Sequence, residues 1–376
     1  MRVLVAPDSF KSTLSAAEAA EVIAGAARAA LPGVEVEACP LADGGEGTLR
    51  VWARAVGAEV FEVPACDLFG VPLRCPAARD PATGDVLLEA AHTCGLPPAG
   101  LRDPVRALST GLGLAMRAVL DRDPGSRIRV ALGGTGTVDG GLGAARALGL
   151  LSGAASASAI GGILALPPEP SFTLPGPFLR PPVFLCDTRA PLLGSSGAAA
   201  VFGPQKGIPA DRIADFDAAL GRLVVAAAVA VGRPFVDTPG FGAAGGIAAL
   251  FSLVAGASCE SGAEYIFNAL QFAQRVREAG LVVTGEGCLD ETSLTGKLVG
   301  AVADLCRDAG RPLLVVAGRS RLVSARLPAG VVVRAASEPS APDPDRTMAS
   351  AILYNAALTA FRDFSKKQLF GPGVLR

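Results

Sequence analysis

Short apolar runs that end in glycine and an acid, each followed by a helical stretch, recur at both ends of this chain. Arg2-Val-Leu-Val-Ala6 reads as a buried strand and leaves into Asp8-Ser-Phe-Lys-Ser12. Ser15 with Glu18 three residues on is a capping box, so a helix is predicted from there to about residue 30, where Leu31-Pro-Gly stops it. Val34-Glu-Val-Glu-Ala38 alternates as a second strand and ends in Leu41-Ala-Asp-Gly-Gly-Glu-Gly-Thr48, ahead of another helix. The rhythm returns with the apolar run 281–283, the loop Thr284-Gly-Glu-Gly-Cys-Leu-Asp-Glu291 and a helical spacing over 298–306. Strands over 312–317 and 330–335 and a helix over about 345–362 follow.

Between these ends the pattern changes. From 58 to 110, short β-like runs (58–63, 86–90) alternate with proline-rich connections. A strand over 127–132 leads into Gly133-Gly-Thr-Gly-Thr-Val-Asp-Gly-Gly141 and a helix over 142–150. Another strand, 183–186, ends at Asp187, with Phe202-Gly-Pro-Gln-Lys-Gly207 and a helix near 209–231 downstream. Residues 151–182 give no assignment. At 376 residues the chain exceeds the roughly 250–300 that one core serves, so two domains are expected. The first two and last three strands predict one five-stranded, mainly parallel α/β sheet from 1–57 and 275–376, with 58–274 inserted as a second, mixed α/β domain.

Composition narrows the function. Half the residues are apolar, 18% are charged and the net charge is −1, so neither a basic face for nucleic acid nor an acidic tail is present. The uncharged spans 147–168 and 238–259 are broken by Gly and Ser and read as interior segments, so no membrane is implied. The eight cysteines form no C-x-x-C pair and, with no apolar leader, point to the reducing cytoplasm. The single histidine, His92, reads as structural, which leaves proton transfer to a carboxylate or a lysine. Only Lys11, Lys206, Lys297, Lys366 and Lys367 among 34 basic residues are lysines, and the first three lie in glycine- or serine-rich loops. A chain that otherwise uses Arg keeps Lys where a compact ammonium is wanted.

Five loops, 8–12, 43–48, 133–141, 187–207 and 284–297, share glycines, a carboxylate and often Lys or Ser/Thr. Glycine exposes backbone N–H groups to phosphate oxygens, and carboxylates hold Mg²⁺ or take a proton from a hydroxyl. These are the parts of phosphoryl transfer. Gly133-Gly-Thr-Gly-Thr is not a P-loop, because no G-K-[ST] follows.

Taken together, Asp8-Ser-Phe-Lys, Ala42-Asp-Gly-Gly-Glu-Gly, Asp139-Gly-Gly, Cys186-Asp, Pro191-Leu-Leu-Gly, Ala200-Val-Phe-Gly-Pro-Gln-Lys-Gly, Gly242-Ala-Ala-Gly-Gly and Thr284-Gly-Glu-Gly-x-Leu-Asp resemble the bacterial glycerate kinase family over residues 1 to about 320. The resemblance implies a flavodoxin-like domain with a restriction-enzyme-like insertion, and ATP- and Mg²⁺-dependent phosphorylation of D-glycerate to 2- or 3-phosphoglycerate. Asp8, Lys11, Asp43, Asp187, Asp290 and Lys297 are then the candidate catalytic residues, with Asp187 and Asp290 for the metal. Gly133, Gly134, Thr135, Gly136, Thr137, Asp139, Lys206, Gly285, Glu286 and Gly287 are the candidate nucleotide contacts. The four aspartates at strand ends should face a common cleft between the domains. A homodimer is left open. Two positions depart from the family pattern, Val138 for Asn and Cys288 for Arg. They keep a non-catalytic or weakly active relative of the fold as the alternative. A dinucleotide-dependent oxidoreductase is disfavoured, since no G-x-G-x-x-G follows the first strand.

Overall fold

The structure, a computed structural model, describes residues 1–10, 13–152, 162–166, 170–174, 176–294, 298–322, 331–338 and 344–370. The chain divides into two compact units, Met1–Asp43 with Ile266–Arg376, and Gly44–Tyr265.

The first unit is built on a parallel sheet. Its central strand, Arg2–Val5, pairs with Glu35–Ala38 on one side and Leu281–Thr284 on the other. Leu281–Thr284 pairs in turn with Leu313–Ser320, which pairs with Val331–Ser337. All five expected strands are present, in the order 2-1-3-4-5 counted within the unit, the flavodoxin-like order. A two-residue strand, Cys288–Leu289, adds a sixth. It runs beside the end of Leu313–Ser320 on the side away from Val331–Ser337, so it continues the ribbon of Leu281–Thr284 past a glycine break.

Alternation sorts the side chains. Val3, Val5, Leu281, Val283, Leu314 and Val316 face one way and bury against the helices Ala16–Ala30 and Arg346–Phe370. Small residues at Ala19, Ala20, Ala24 and Ala27 let the first helix lie close to its neighbours. Its capping box forms as the sequence dictates: the Glu18 N–H donates to Ser15 Oγ, and the Ser15 N–H donates to Glu18 Oε2.

The second unit holds a six-stranded mixed sheet in the order Ser258–Glu260, Val183–Leu185, Ile128–Ala131, Val86–Glu89, Pro72–Arg79, Glu59–Cys66. The first four strands run parallel and the last two are antiparallel. The helices Thr110–Arg122, Leu142–Ala147, Ile213–Val231 and Ile247–Val254 contribute buried side chains to one apolar cluster, centred on Phe184, Phe216 and Phe251. The unit begins at residue 44 rather than the expected 58. The helix Thr48–Val56 buries Leu49, Val51 and Trp52 and packs on Pro72–Arg79 and Val86–Glu89, and the Leu49 N–H donates to Glu89 Oε1 at 2.6 Å. At the other boundary the unit ends at 265 rather than 274. Phe267 stacks on Phe272, and the helix Phe272–Glu278 packs on Arg2–Val5 in the first unit.

Candidate active site

In a sheet of order 2-1-3-4-5 the crevice lies at the carboxyl ends of the first and third strands, where the chain reverses direction across the sheet. There the first unit contains a cavity of about 390 Å³. Asp8, Asp43 and Glu286 line it, with Ser9, Gly287, Cys288, Arg319 and Ser337, and Ile352 and Leu353 of the last helix supply apolar wall.

The loops are held by the backbone. The Asp8 N–H donates to Gly285 O at 2.8 Å, the Leu41 N–H to Pro7 O at 2.9 Å, and Thr284 Oγ1 to Ala6 O at 2.7 Å. Asp8 is buried and accepts the Ser9 N–H at 2.6 Å, while Asp43 is half-buried. Gly285, expected to bring backbone up to a ligand, packs against strand, while Gly287 lines the cavity. A Cβ on Gly285 would lie 2.0 Å from Val316 O, and one on Gly318 would lie 2.5 Å from Gly287 O. The Gly318 N–H donates to Glu286 O and the Arg319 N–H to Gly287 O, both at 3.0 Å. Cys288, where the family pattern has arginine, is in register with Arg319.

Asp290 lies in the first unit beside a short turn, where its Oδ1 accepts the Ser293 N–H at 3.1 Å; it does not line the cavity. Lys11 and Lys297 lie outside the described residues.

The remaining candidates belong to the second unit. Asp139 is buried under helix starts: Oδ2 accepts Ser109 N–H and Oγ and the Gly143 N–H, and Oδ1 accepts the Gly141 N–H. Val138 beside it is core. The Gly133 and Gly136 N–H groups, expected to face phosphate, donate to Gly44 O and Cys94 O. Asp187 takes Ser261 Oγ and the Gly262 and Ala263 N–H groups, capping the helix Gly262–Ala269. His92 stands 3.5 Å from Glu89, a buried acid whose carboxyl burial pushes up and the nearby imidazole pulls down.

Lys206 is also buried. Its Nζ donates to Thr137 O at 2.9 Å and approaches Thr135 Oγ1 at 3.4 Å, so it ties down the 133–137 loop from inside. Burial pulls its ammonium down to about 8, opposed by Cys94 and Asp139 nearby. The folded value lies below the unfolded one, so between pH 8 and 10.5 the unfolded chain holds more protons and stability rises with pH. Lys206→Met lacks this rise. The stability of the natural chain relative to the variant should therefore grow by roughly 3 kcal/mol between pH 7.5 and 10.5, measured by urea unfolding. A pH-independent difference would mean the ammonium is well solvated.

A sequence model of the glycerate kinase family matches residues 3–359. The chain belongs to that family. It is 35% identical over 326 residues to a glycerate kinase of Bacillus subtilis, covering 85% of each chain, and 32% identical over 325 residues to the glycerate 2-kinase of Escherichia coli, again covering 85% of each. It also superposes on the crystal structure of a putative glycerate kinase 2 from Salmonella typhimurium, with a TM-score of 0.77 at 30% identity, covering 98% of this chain and 100% of that one. The family makes this chain a kinase. Among the described residues no helix is long and apolar enough to cross a membrane.

Arg319 was not legible as a site residue in the sequence. It follows Ala317-Gly318 at a strand end, like the acids of the other loops, but arginine is too common in this chain to stand out.

Proposed function

We propose that this chain phosphorylates D-glycerate with ATP, giving 2- or 3-phosphoglycerate in the cytoplasm. What carries the reading, beyond family membership, is the cavity at the sheet's reversal point, where Asp8, Asp43 and Glu286 meet hydroxyls and a guanidinium in a volume suited to a small acceptor. Phosphoryl transfer asks for a carboxylate that takes the proton of the attacking hydroxyl and for groups that fix the acceptor in line. Asp43, half-buried and on the cavity wall, suits the first role. Asp8, fixed by the Ser9 N–H, suits the second.

The divalent ion is best written as part of the nucleotide. Among the described residues no three His, Cys, Asp or Glu side chains form a ready metal site, and Asp187 already accepts three donors. Mg²⁺ commonly keeps its waters and is held by nucleotide phosphates with one or two carboxylates, which needs no prebuilt cage.

The test is turnover of D-glycerate with MgATP, followed by coupled ADP release, with phosphorus NMR assigning the product hydroxyl. Binding of glycerate or ATP without turnover would favour the non-catalytic relative.

A further inference from the structure

We propose that Arg319 binds the carboxylate of the acceptor, and so makes this kinase select a hydroxy acid over a neutral polyol. The proposal rests on the reading that the cavity takes glycerate.

The first argument is charge. Glycerate is an anion, and the cavity already presents Asp8, Asp43 and Glu286, each of which repels it. Arg319 is the one cationic side chain among the described lining residues. Among the described lining residues, that guanidinium is the side chain whose charge attracts a bound carboxylate.

The second is placement. Arg319 sits near the end of Leu313–Ser320, in register with Cys288 on one side and Ser337 on the other. Its N–H is anchored on Gly287 O and the Gly318 N–H on Glu286 O, both at 3.0 Å. The side chain therefore starts from a fixed point on rigid strand rather than on loop. Ser337 and Ser9 line the same cavity and offer hydroxyls to the acceptor's own oxygens.

The third is shape. A guanidinium presents two parallel N–H donors that match the two oxygens of a carboxylate. That fork distinguishes glycerate from glycerol, which differs by a CH₂OH in place of the carboxylate.

The experiment compares the natural chain with Arg319→Lys and Arg319→Met, using glycerate and glycerol as acceptors. Arg319→Met should raise KM for glycerate by about 10- to 100-fold, the weight of a charge-assisted hydrogen bond. Its kcat for glycerate and its KM for ATP should stay within about threefold, and the preference for glycerate over glycerol should fall by the same factor as KM rises. Arg319→Lys, which keeps charge and loses the fork, should lie between, and added ethylguanidinium should partly restore Arg319→Met. Calorimetric titration of the full chain with glycerate should show the same order of affinities.

An unchanged KM and acceptor preference in Arg319→Met, with turnover retained, overturns the proposal while leaving the kinase reading intact. So does a fall in kcat at constant KM, which would put Arg319 on the transferred phosphoryl group. Failure of the natural chain to bind or phosphorylate glycerate removes the kinase reading, and this proposal with it. Loss of ATP binding in Arg319→Met would mark a folding defect, in which case a glycerate KM in Arg319→Lys equal to that of the natural chain would overturn the proposal.

Discussion

Asp43→Asn should lower kcat for glycerate by about 10²- to 10⁴-fold while moving its KM only a fewfold, because the asparagine keeps shape and hydrogen-bonding reach but cannot take a proton. Asp43 ends the segment that leaves Glu35–Ala38, and the Leu41 N–H on Pro7 O holds that segment beside the loop carrying Asp8. It is half-buried on the cavity wall. Asp8 is more enclosed and accepts its neighbour's N–H. Asp8→Asn should therefore cost less, about tenfold, and through KM as well as kcat. The split between kcat and KM separates them. A normal kcat in Asp43→Asn would move the base to Asp8 or Glu286.

Gly285→Ala should destabilise the first unit by about 3 kcal/mol or more and remove most glycerate binding. A methyl there would sit 2.0 Å from Val316 O and 3.1 Å from its carbonyl carbon, both backbone atoms in the middle of a paired strand. Neither can swing aside as a flexible side chain would. Relief requires Leu281–Thr284 and Leu313–Ser320 to part at their carboxyl ends, where Glu286 and Arg319 stand. For a protein of this size such a loss corresponds to a fall of roughly 5–10 °C in Tm. Gly100→Ala, where a Cβ meets nothing within 4 Å, is the control and should change stability by less than about 0.5 kcal/mol. Equal melting of the two variants would mean the strands yield more easily than their spacing implies.

Much of the first unit was legible because its central strands, Arg2–Val5 and Leu281–Thr284, are buried and so read as unbroken apolar runs closed by glycine and acid. The boundary at 44 was not. The apolar stripe of Thr48–Val56, with Leu49 and Trp52, announces a buried helix face, but periodicity does not say which sheet covers it. The candidate site shows the same limit. Asp8, Asp43, Asp139 and Asp187 come from loops of one composition, yet the first two line the cavity while Asp139 and Asp187 hold backbone N–H groups. Asp139 and Asp187 are each taken up by a partner remote in sequence, Ser109 for Asp139 and Ser261 for Asp187. An acid beside glycines caps a helix as readily as it meets a ligand. Lysine scarcity did mark Lys206 as unusual, though its donors turn inward to Thr137 O.

The sheet's central strand pairs with one local neighbour and with one some 280 residues away, Val3 opposite Leu281. On a ribosome adding about 5–20 residues per second, Arg2–Val5 waits roughly fifteen seconds to a minute for that second partner. The contiguous segment Gly44–Tyr265 is entirely synthesised in that interval, so it is free to fold before the first unit can close. During the wait Arg2–Val5 presents an open, apolar strand edge of the kind that recruits wrong partners. The nascent N-terminal segment is thus the part of this molecule most in need of a chaperone, and slowed elongation before residue 281 should lower the yield of soluble protein more than slowed elongation after residue 337.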